Sequence, residues 1–435
     1  MIKKIIYIGL MIHSGMVVAS EAKSDASQAI NISVAPSRYE KLTVLLGLMG
    51  DCSPELLEIA ALIKKDLEFT NQFEVTVRTV NEMHAKKEIT QLSQEGFAMA
   101  LFMNAAGDNA IQWRVYDTEQ VQMLKGEKYT KRGSVTRGWA HNVADSIWPV
   151  ITGEPGFFST KIAYCKDVRQ PKKRKVKHVC VADYDGSNEQ VLVNAPTVNI
   201  APRWNNDTNN PLLFYSDYTN SNVRLIAVNM KKQRKIASNF DGINMLPAFS
   251  DDGKRVVYCA SKGKGNCQLY FYENSQVKQI TKNNGNNVSP TFAGNKNKIL
   301  FCSDFQTGLP QVYCYDIKTQ DLERVTDGGY CASPCYCQSN EKLVYSKKIN
   351  GVMQLVVYDS AKKEHAQVTF DDGHKEECSW SPCGNFLLYS VEKGAKSRIA
   401  QLNVATREAR YLTPESTMCT YPAWSPMYDQ FITVS

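Results

Sequence analysis

A pattern that returns every 43 to 45 residues through the last two thirds of the chain constrains this protein more than any other feature. Its first anchor is a proline two residues before an aromatic: Pro202/Trp204, Pro247/Phe249, Pro290/Phe292, Pro334/Tyr336 and Pro422/Trp424, with Cys378/Trp380 in the remaining slot. A second anchor follows a short turn and ends on Tyr164, Tyr215, Tyr258, Phe301, Tyr345 and Tyr389. Third segments end at Asp183, Asn229, Glu273, Asp316, Asp359 and Asn403, and fourth segments at Thr281, Thr326, Thr369 and Thr413. Four short strands per repeat of this length are the pattern of a β-propeller blade. Turn chemistry agrees: Asp251-Asp252-Gly253 and Pro382-Cys383-Gly384 place glycine where a tight turn needs φ > 0.

Counting copies predicts how the ring closes. The first-strand motif occurs six times, yet the chain enters the repeat at Lys161 on a second strand, and the copy Tyr421 to Trp424 has no blade of its own. Six blades follow, with the C-terminal strand completing the first and removing an edge open to aggregation. The tail Gln430 to Ser435 resembles one more second strand, so a partial seventh blade is the alternative.

Upstream the periodicity changes. Lys41 to Leu48, Phe73 to Val77, Phe97 to Met103, Ile111 to Tyr116 and Val121 to Tyr129 read as strands. Leu56 to Leu67, Glu82 to Glu95 and Trp139 to Ile151 read as helices, the first introduced by Ser53-Pro54. Strands alternating with helices make a small α/β domain. The fold class is therefore a multidomain α/β plus all-β chain: a small N-terminal α/β domain, then a six-bladed β-propeller closed by the C-terminal strand.

The first residues are read as a transport signal. Lys3 and Lys4 precede an apolar run, and Ser20 and Ala22 offer small residues for cleavage, as in a secretory signal peptide. An uncleaved anchor is the alternative. Cleavage after Ala22 takes Lys3, Lys4 and Glu21 away and moves the formal charge from +7 to +6. The divisions are 1–22 signal, 23–156 arm and α/β domain, and 157–435 propeller. Within the arm, Ile30, Ile32 and Val34 alternate as a short strand would.

Export gives the 13 cysteines a disulfide option. The repeat register favours packing instead. Cys165, Cys259 and Cys302 share a slot with Ser216, Ser346 and Ser390, and Cys337 shares one with Ser250, Ser381 and Ser425. These slots want a small, weakly polar side chain. A disulfide subset is the alternative. Cys335 and Cys337 point to one face of a strand, too far apart to bridge easily. Zinc would need a second cysteine pair or a nearby histidine beside Cys331, Cys335 and Cys337.

In a propeller the segment before each first strand sits at one mouth of the channel. Asn199, Asn244 and Asn287 recur there at one slot. They either cap their own loops or offer donors and acceptors to a docked protein. His141 and Asp145, four apart on a helix, suggest metal or acid–base chemistry and are read instead as interdomain packing. The basic run Lys172 to Lys177 is read as a solvated loop, with anionic lipid or peptidoglycan carboxylates as alternative partners. It lacks interleaved aromatics, so no nucleic-acid partner is expected. No G-x-S-x-G or H-E-x-x-H motif is present, and an enzyme is not expected.

Arg137, Ala140-His141, Asp145, Thr152-Gly153, Gly156-Phe157 and Lys161-Ile162-Ala163-Tyr164 form an ordered hinge, followed by Ala182-Asp183-Tyr184-Asp185-Gly186-Ser187 and the repeats. This combination resembles the Tol–Pal system TolB family over nearly the whole mature chain. Asn205-Asn206-Asp207 and Gln338-Ser339-Asn340 depart from that family's usual S-P-D-G turns, and the cysteine content is high for it. The resemblance implies a periplasmic, non-catalytic adaptor, peripheral to membranes and monomeric within an envelope complex, with no cofactor or metal. It implies support of outer-membrane integrity and of envelope constriction during division. It also implies a Pal-type peptidoglycan-associated lipoprotein at the propeller mouth, expected on Asn199, Ile243, Asn244, Leu246, Asn287, Val288, Ser289, Ala332 and Ser333. A TolA-type inner-membrane protein is expected at the arm, on Ile30, Ile32 and Val34. The alternative is an exported propeller serving as a small-ligand sensor or as an accessory to a hydrolase or lyase.

Overall fold

A computed structural model describes residues 40–50, 52–80, 86–107, 109–130, 136–168, 176–263, 265–294 and 297–428. The expected signal, Ile30, Ile32 and Val34 of the arm, Lys172 to Lys175 of the basic run and the tail from Gln430 lie outside the described residues.

The first part is a five-stranded mixed sheet with three helices. Its strands are β1 (Leu42–Met49), β2 (Phe73–Val80), β3 (Met99–Ala105), β4 (Ala110–Asp117) and β5 (Gln122–Thr130), ordered β2-β1-β3-β4-β5. β1 pairs parallel with β2 and β3, while β3, β4 and β5 pair antiparallel. β1 is apolar on both faces because it is central and covered on both sides. Helix α1 (Pro54–Phe69) starts where Ser53 accepts a hydrogen bond from the Leu56 N–H at 3.2 Å, with Pro54 at a position that needs no N–H. Leu56, Ile59, Ala60, Ile63 and Leu67 give it a buried stripe. Helix α2 (Lys86–Gln94) is the described part of the polar segment Glu82 to Glu95, and residues 81–85 lie outside the described set. Helix α3 (Thr136–Thr152) starts one turn earlier than Trp139 and packs beside α1.

Among the described residues, the repeats fold as six groups of four antiparallel strands around a ring: three are separate four-stranded sheets, and the first three blades are joined by single parallel pairings, Lys177 with Val198 and Val223 with Ile243, into one twelve-stranded sheet. We number the blades from one, in the order in which the chain enters them. Their inner strands are Val198–Trp204, Gly242–Phe249, Asn287–Ala293, Cys331–Cys337 and His374–Trp380 in blades two to six. The inner strand of blade one is the C-terminal strand Cys419–Trp424, which pairs antiparallel with Lys161–Val168. This is the closure read from the repeat count, made by joining the two ends of the repeat array.

The repeated residues have repeated tasks. Tyr164, Tyr215, Tyr258, Phe301, Tyr345 and Tyr389 are all buried. Thr281, Thr326, Thr369 and Thr413 each accept a hydrogen bond through Oγ1 from a third-strand N–H, that of Leu269, Val312, Leu355 and Ile399, at 2.8 to 3.0 Å. The hydroxyl replaces a ladder bond where the outer strand ends. Gly242 bends the chain into blade three at φ 104°, and a Cβ there would stand 2.3 Å from the Ser261 carbonyl oxygen. All 13 cysteines are unpaired, and the register reading of small packing residues holds. Burial pushes the Cys302 and Cys383 thiols up to about 12, which keeps them protonated.

Candidate functional site

Antiparallel pairing inside each blade sends its loops to two faces. Loops joining strands one to two and three to four share one face; loops joining two to three, and one blade to the next, share the other. The α/β part sits on the first face, over blades one and six. Asp66 of α1 accepts from the Tyr184 hydroxyl at 2.7 Å and lies 2.8 Å from His141 Nδ1. All three side chains are buried. Arg137 bridges Asp183 at 2.8 Å and Asp185 at 2.9 Å, while Lys161 reaches Asp183 at 2.6 Å and Lys65 reaches Asp185 at 3.1 Å. Burial alone would raise the Asp185 carboxyl, but Arg137, the Ser187 N–H and Lys65 bring it down to about 2. On blade six, Asn403 donates to the Thr70 carbonyl at 3.0 Å and Arg410 to the Phe69 carbonyl at 2.5 Å. Phe69, Phe157, Phe158, Tyr184, Phe386 and Trp424 fill the space between with edge and tilted ring contacts.

The hinge residues of the sequence pattern meet here. Asp145 accepts N–H bonds from Phe158 at 2.7 Å and Ser159 at 2.9 Å. Its burial pushes the carboxyl up to about 6 against those two donors. Gly156 is a glycine because a Cβ would lie 2.7 Å from the Asp145 Cα. His141 and Asp145 therefore pack and orient the junction, and the described residues hold no group of three or more potential metal ligands.

Among the described residues, the α/β part leaves the opposite mouth uncovered. Its inner-strand slot Asn199, Asn244, Asn287, Cys331, Lys375 and Cys419 is fully buried in all six blades. Asn199 donates to the Lys177 carbonyl at 2.9 Å; Asn244 donates to Val223 at 2.9 Å and Phe240 at 2.7 Å and accepts from Ser238; Asn287 donates to Asn283 Oδ1 at 2.9 Å and to the Cys267 carbonyl at 3.2 Å. Of the two readings the sequence leaves open for these three asparagines, these bonds are those of loop caps: the amides serve the chain's own loops. Lys375, placed with the mouth by its sequence position, does the same in blade six, its Nζ bonded to the carbonyls of Asp371 and Asp372.

Two residues further along, every inner strand carries a bulge, with a register shift in each pairing. Ala201, Leu246, Ser289, Ser333, Glu377 and Tyr421 all have φ between 52° and 61°. None is glycine and none is β-branched, and left-handed backbone costs an L-residue on the order of 1–2 kcal/mol. A bulge bends its strand and re-aims the side chain, here toward the channel. No sequence signal announced these six positions except the proline or cysteine that follows each.

The remaining expected mouth residues, Ile243, Leu246, Val288, Ser289, Ala332 and Ser333, are half-buried and lie together on blades three to five. Around them, exposed Phe240, Leu309 and Tyr330 stand on loops of the same face. Glu376 and Glu377 make the adjoining sector of blade six acidic.

The family profile of the TolB beta propeller domain matches residues 148–428, more than half of the chain. The chain belongs to the TolB β-propeller family. It is 30% identical over 269 residues to the Tol-Pal system protein TolB of Gluconobacter oxydans, a match covering 61% of this chain and 58% of that one. To TolB of Rickettsia prowazekii it is 32% identical over 158 residues, 36% of this chain and 35% of the other. The matched stretch thus spans about a third to somewhat over half of these TolB relatives. The crystal structure of TolB from Acinetobacter baumannii superposes with a TM-score of 0.77 at 21% identity, over 91% of this chain and 98% of that one, and shares the TolB fold. No helix among the described residues is long and apolar enough to cross a membrane.

Proposed function

We propose that this chain is a periplasmic, non-catalytic adaptor of a Tol–Pal envelope complex. Its open propeller mouth receives a Pal-type peptidoglycan-associated lipoprotein, and its N-terminal arm, through Ile30, Ile32 and Val34, meets a TolA-type inner-membrane protein. In that role it supports outer-membrane integrity and constriction at division. One observation carries the reading. Among the described residues, the α/β part occupies one face of the ring and leaves the opposite mouth uncovered, where half-buried Ile243, Leu246, Val288, Ala332, Ser289 and Ser333 adjoin exposed Phe240, Leu309 and Tyr330. An apolar patch carrying a few hydroxyls and exposed aromatic rings matches the core of a protein-docking surface. The bulged backbone holds it in one shape before the partner arrives, which lowers the ordering cost of binding.

Calorimetric titration of the mature chain with the soluble domain of a Pal-type lipoprotein tests the proposal. Saturable 1:1 binding is expected. The double variant Leu246→Arg plus Ser289→Arg should weaken it at least about tenfold, since charge replaces the contact centre. Absence of binding by the parent, or equal binding by a folded double variant, would count against the mouth.

A further inference from the structure

Partner docking leaves two charges in the channel without a role. Past the bulges, the next channel-facing slot holds Arg203, Ala248, Thr291, Cys335, Ser379 and Ala423. Five blades use a small residue there and blade two uses an arginine. At the bulge slot, Glu377 is the one carboxylate of its ring. The fold is built in the other blades without either charge, and both side chains are half-buried, where partial desolvation disfavours a charge without a partner. Arg203 and Glu377 form no ion pair with each other among the described residues, although the arginine's charge is felt at the glutamate.

Both side chains line one cavity of about 110 Å³, together with Leu246, Ser289, Ser333 and Cys335. Glu377 Oε2 is occupied, accepting from the Tyr421 N–H at 2.7 Å and from the Ser390 hydroxyl at 2.9 Å. Its Oε1 is left to the cavity. Arg203 gives one N–H to the Pro202 carbonyl at 2.9 Å, and a guanidinium has five to give. The cavity thus carries on its wall a cation from blade two and a carboxyl group from blade six, together with the Ser289 and Ser333 hydroxyls and the less polar Leu246 and Cys335. Its volume equals roughly three or four waters at their share of the liquid, the size of a molecule with five or six heavy atoms.

We propose that the channel binds a compact zwitterion, an α-amino acid of glycine or alanine size, with its carboxylate on Arg203 and its ammonium on Glu377 Oε1. A ligand of one charge would satisfy one wall and leave the other half-buried without a counter-charge. A zwitterion satisfies both, and the nearby serines can take the remaining hydrogen bonds. Burial pushes the Glu377 carboxyl up to about 7, and an ammonium beside it would favour its charged form. The site shares Leu246, Ser289 and Ser333 with the docking surface, but its ligand is measured on the chain alone, so its failure and the failure of the docking reading are distinguishable.

The test is calorimetric titration of the full mature chain with glycine, L-alanine and D-alanine, with acetate and ethylammonium as single-charge controls. At least one amino acid should bind 1:1 and about tenfold more tightly than either control. Arg203→Ala and Glu377→Ser install residues that other blades already carry, so each should fold and each should lose about tenfold in affinity. Three results would overturn the proposal: no saturable heat from any of the three amino acids, acetate binding as tightly as they do, or folded variants binding as tightly as the parent. The comparison of amino acid with acetate needs no variant, so the test survives a failure of either substitution to fold.

Discussion

The two faces of the ring are held in opposite ways. On the covered face, stability comes from residues that occur once: Asp66 between His141 and Tyr184, Arg137 between Asp183 and Asp185, and Asp145 under the Phe158 and Ser159 amides. On the open face, the same device recurs six times, a buried slot followed by a left-handed bulge, and in four blades that slot caps a loop. The covered face spends its polar groups on the chain itself. The open face spends its first slot that way and then presents strained, half-buried side chains to the channel. A face built of unique pairs fixes one domain on another; a face built of repeats sets out a symmetrical rim, and departures from the repeat mark where something other than folding is served.

The severest way to break the comparison is to open the ring itself. A chain ending at Met418 lacks the strand Cys419–Trp424 that pairs with Lys161–Val168, and both faces should fail together. Cooperative thermal unfolding should disappear in calorimetry; a sharp transition at the parent's temperature would disprove closure by that strand. Next in size, Asp66→Ala should destabilise by roughly 3–5 kcal/mol in denaturant unfolding, because a buried partner is removed from His141 and Tyr184. A loss below about 1 kcal/mol would mean that the triad is not what joins the parts.

Asp145 sharpens the contrast through pH. Its folded carboxyl titrates at about 6, above the ordinary 3.8, so the folded state holds the proton more tightly than the unfolded chain. Stability from this group is present below pH 4 and is lost as pH rises toward 6, by on the order of 2–3 kcal/mol. Asp185, held down to about 2, acts in reverse and loses its contribution as pH falls through 3.8 toward 2. Relative to Asp145→Asn, the parent should therefore lose ground between pH 4.5 and pH 7 in urea titrations; a constant difference would refute the assignment. The smallest effect belongs to the open face. Ser333→Gly relieves the left-handed strain at φ 53° but adds unfolded-state entropy, for a net gain below about 1 kcal/mol. A clear loss of stability in the same assay would mean that the serine side chain, not the backbone, shapes the bulge.

What the sequence disclosed follows the same division. The repeat revealed the ring, its closure, the buried aromatics and the threonines, because each is a similar answer to a problem posed in several blades. The three asparagines were visible as a set, yet their spacing could not tell a loop cap from a partner contact. That depends on whether the amide finds carbonyls within reach, as Asn244 does at Val223 and Phe240. The bulges were hidden because non-glycine residues occupy them. Asp66 was missed although a signal existed: an acid three residues after Ile63, inside the apolar stripe of α1, is buried and needs partners. Its partners lie 75 and 118 residues away, beyond the reach of any local pattern. Lys375 was placed at the mouth by alignment and proved to be an asparagine substitute, since its ammonium serves the loop carbonyls that an amide serves elsewhere.

Hydrogen–deuterium exchange of the mature chain, with and without a saturating Pal-type lipoprotein domain, tests the central claim most directly. The account predicts added protection at residues 243–246, 287–289 and 331–333, with exchange at 183–187 and 402–410 unchanged. Protection confined to the covered side, with the mouth segments exchanging as before, would contradict it.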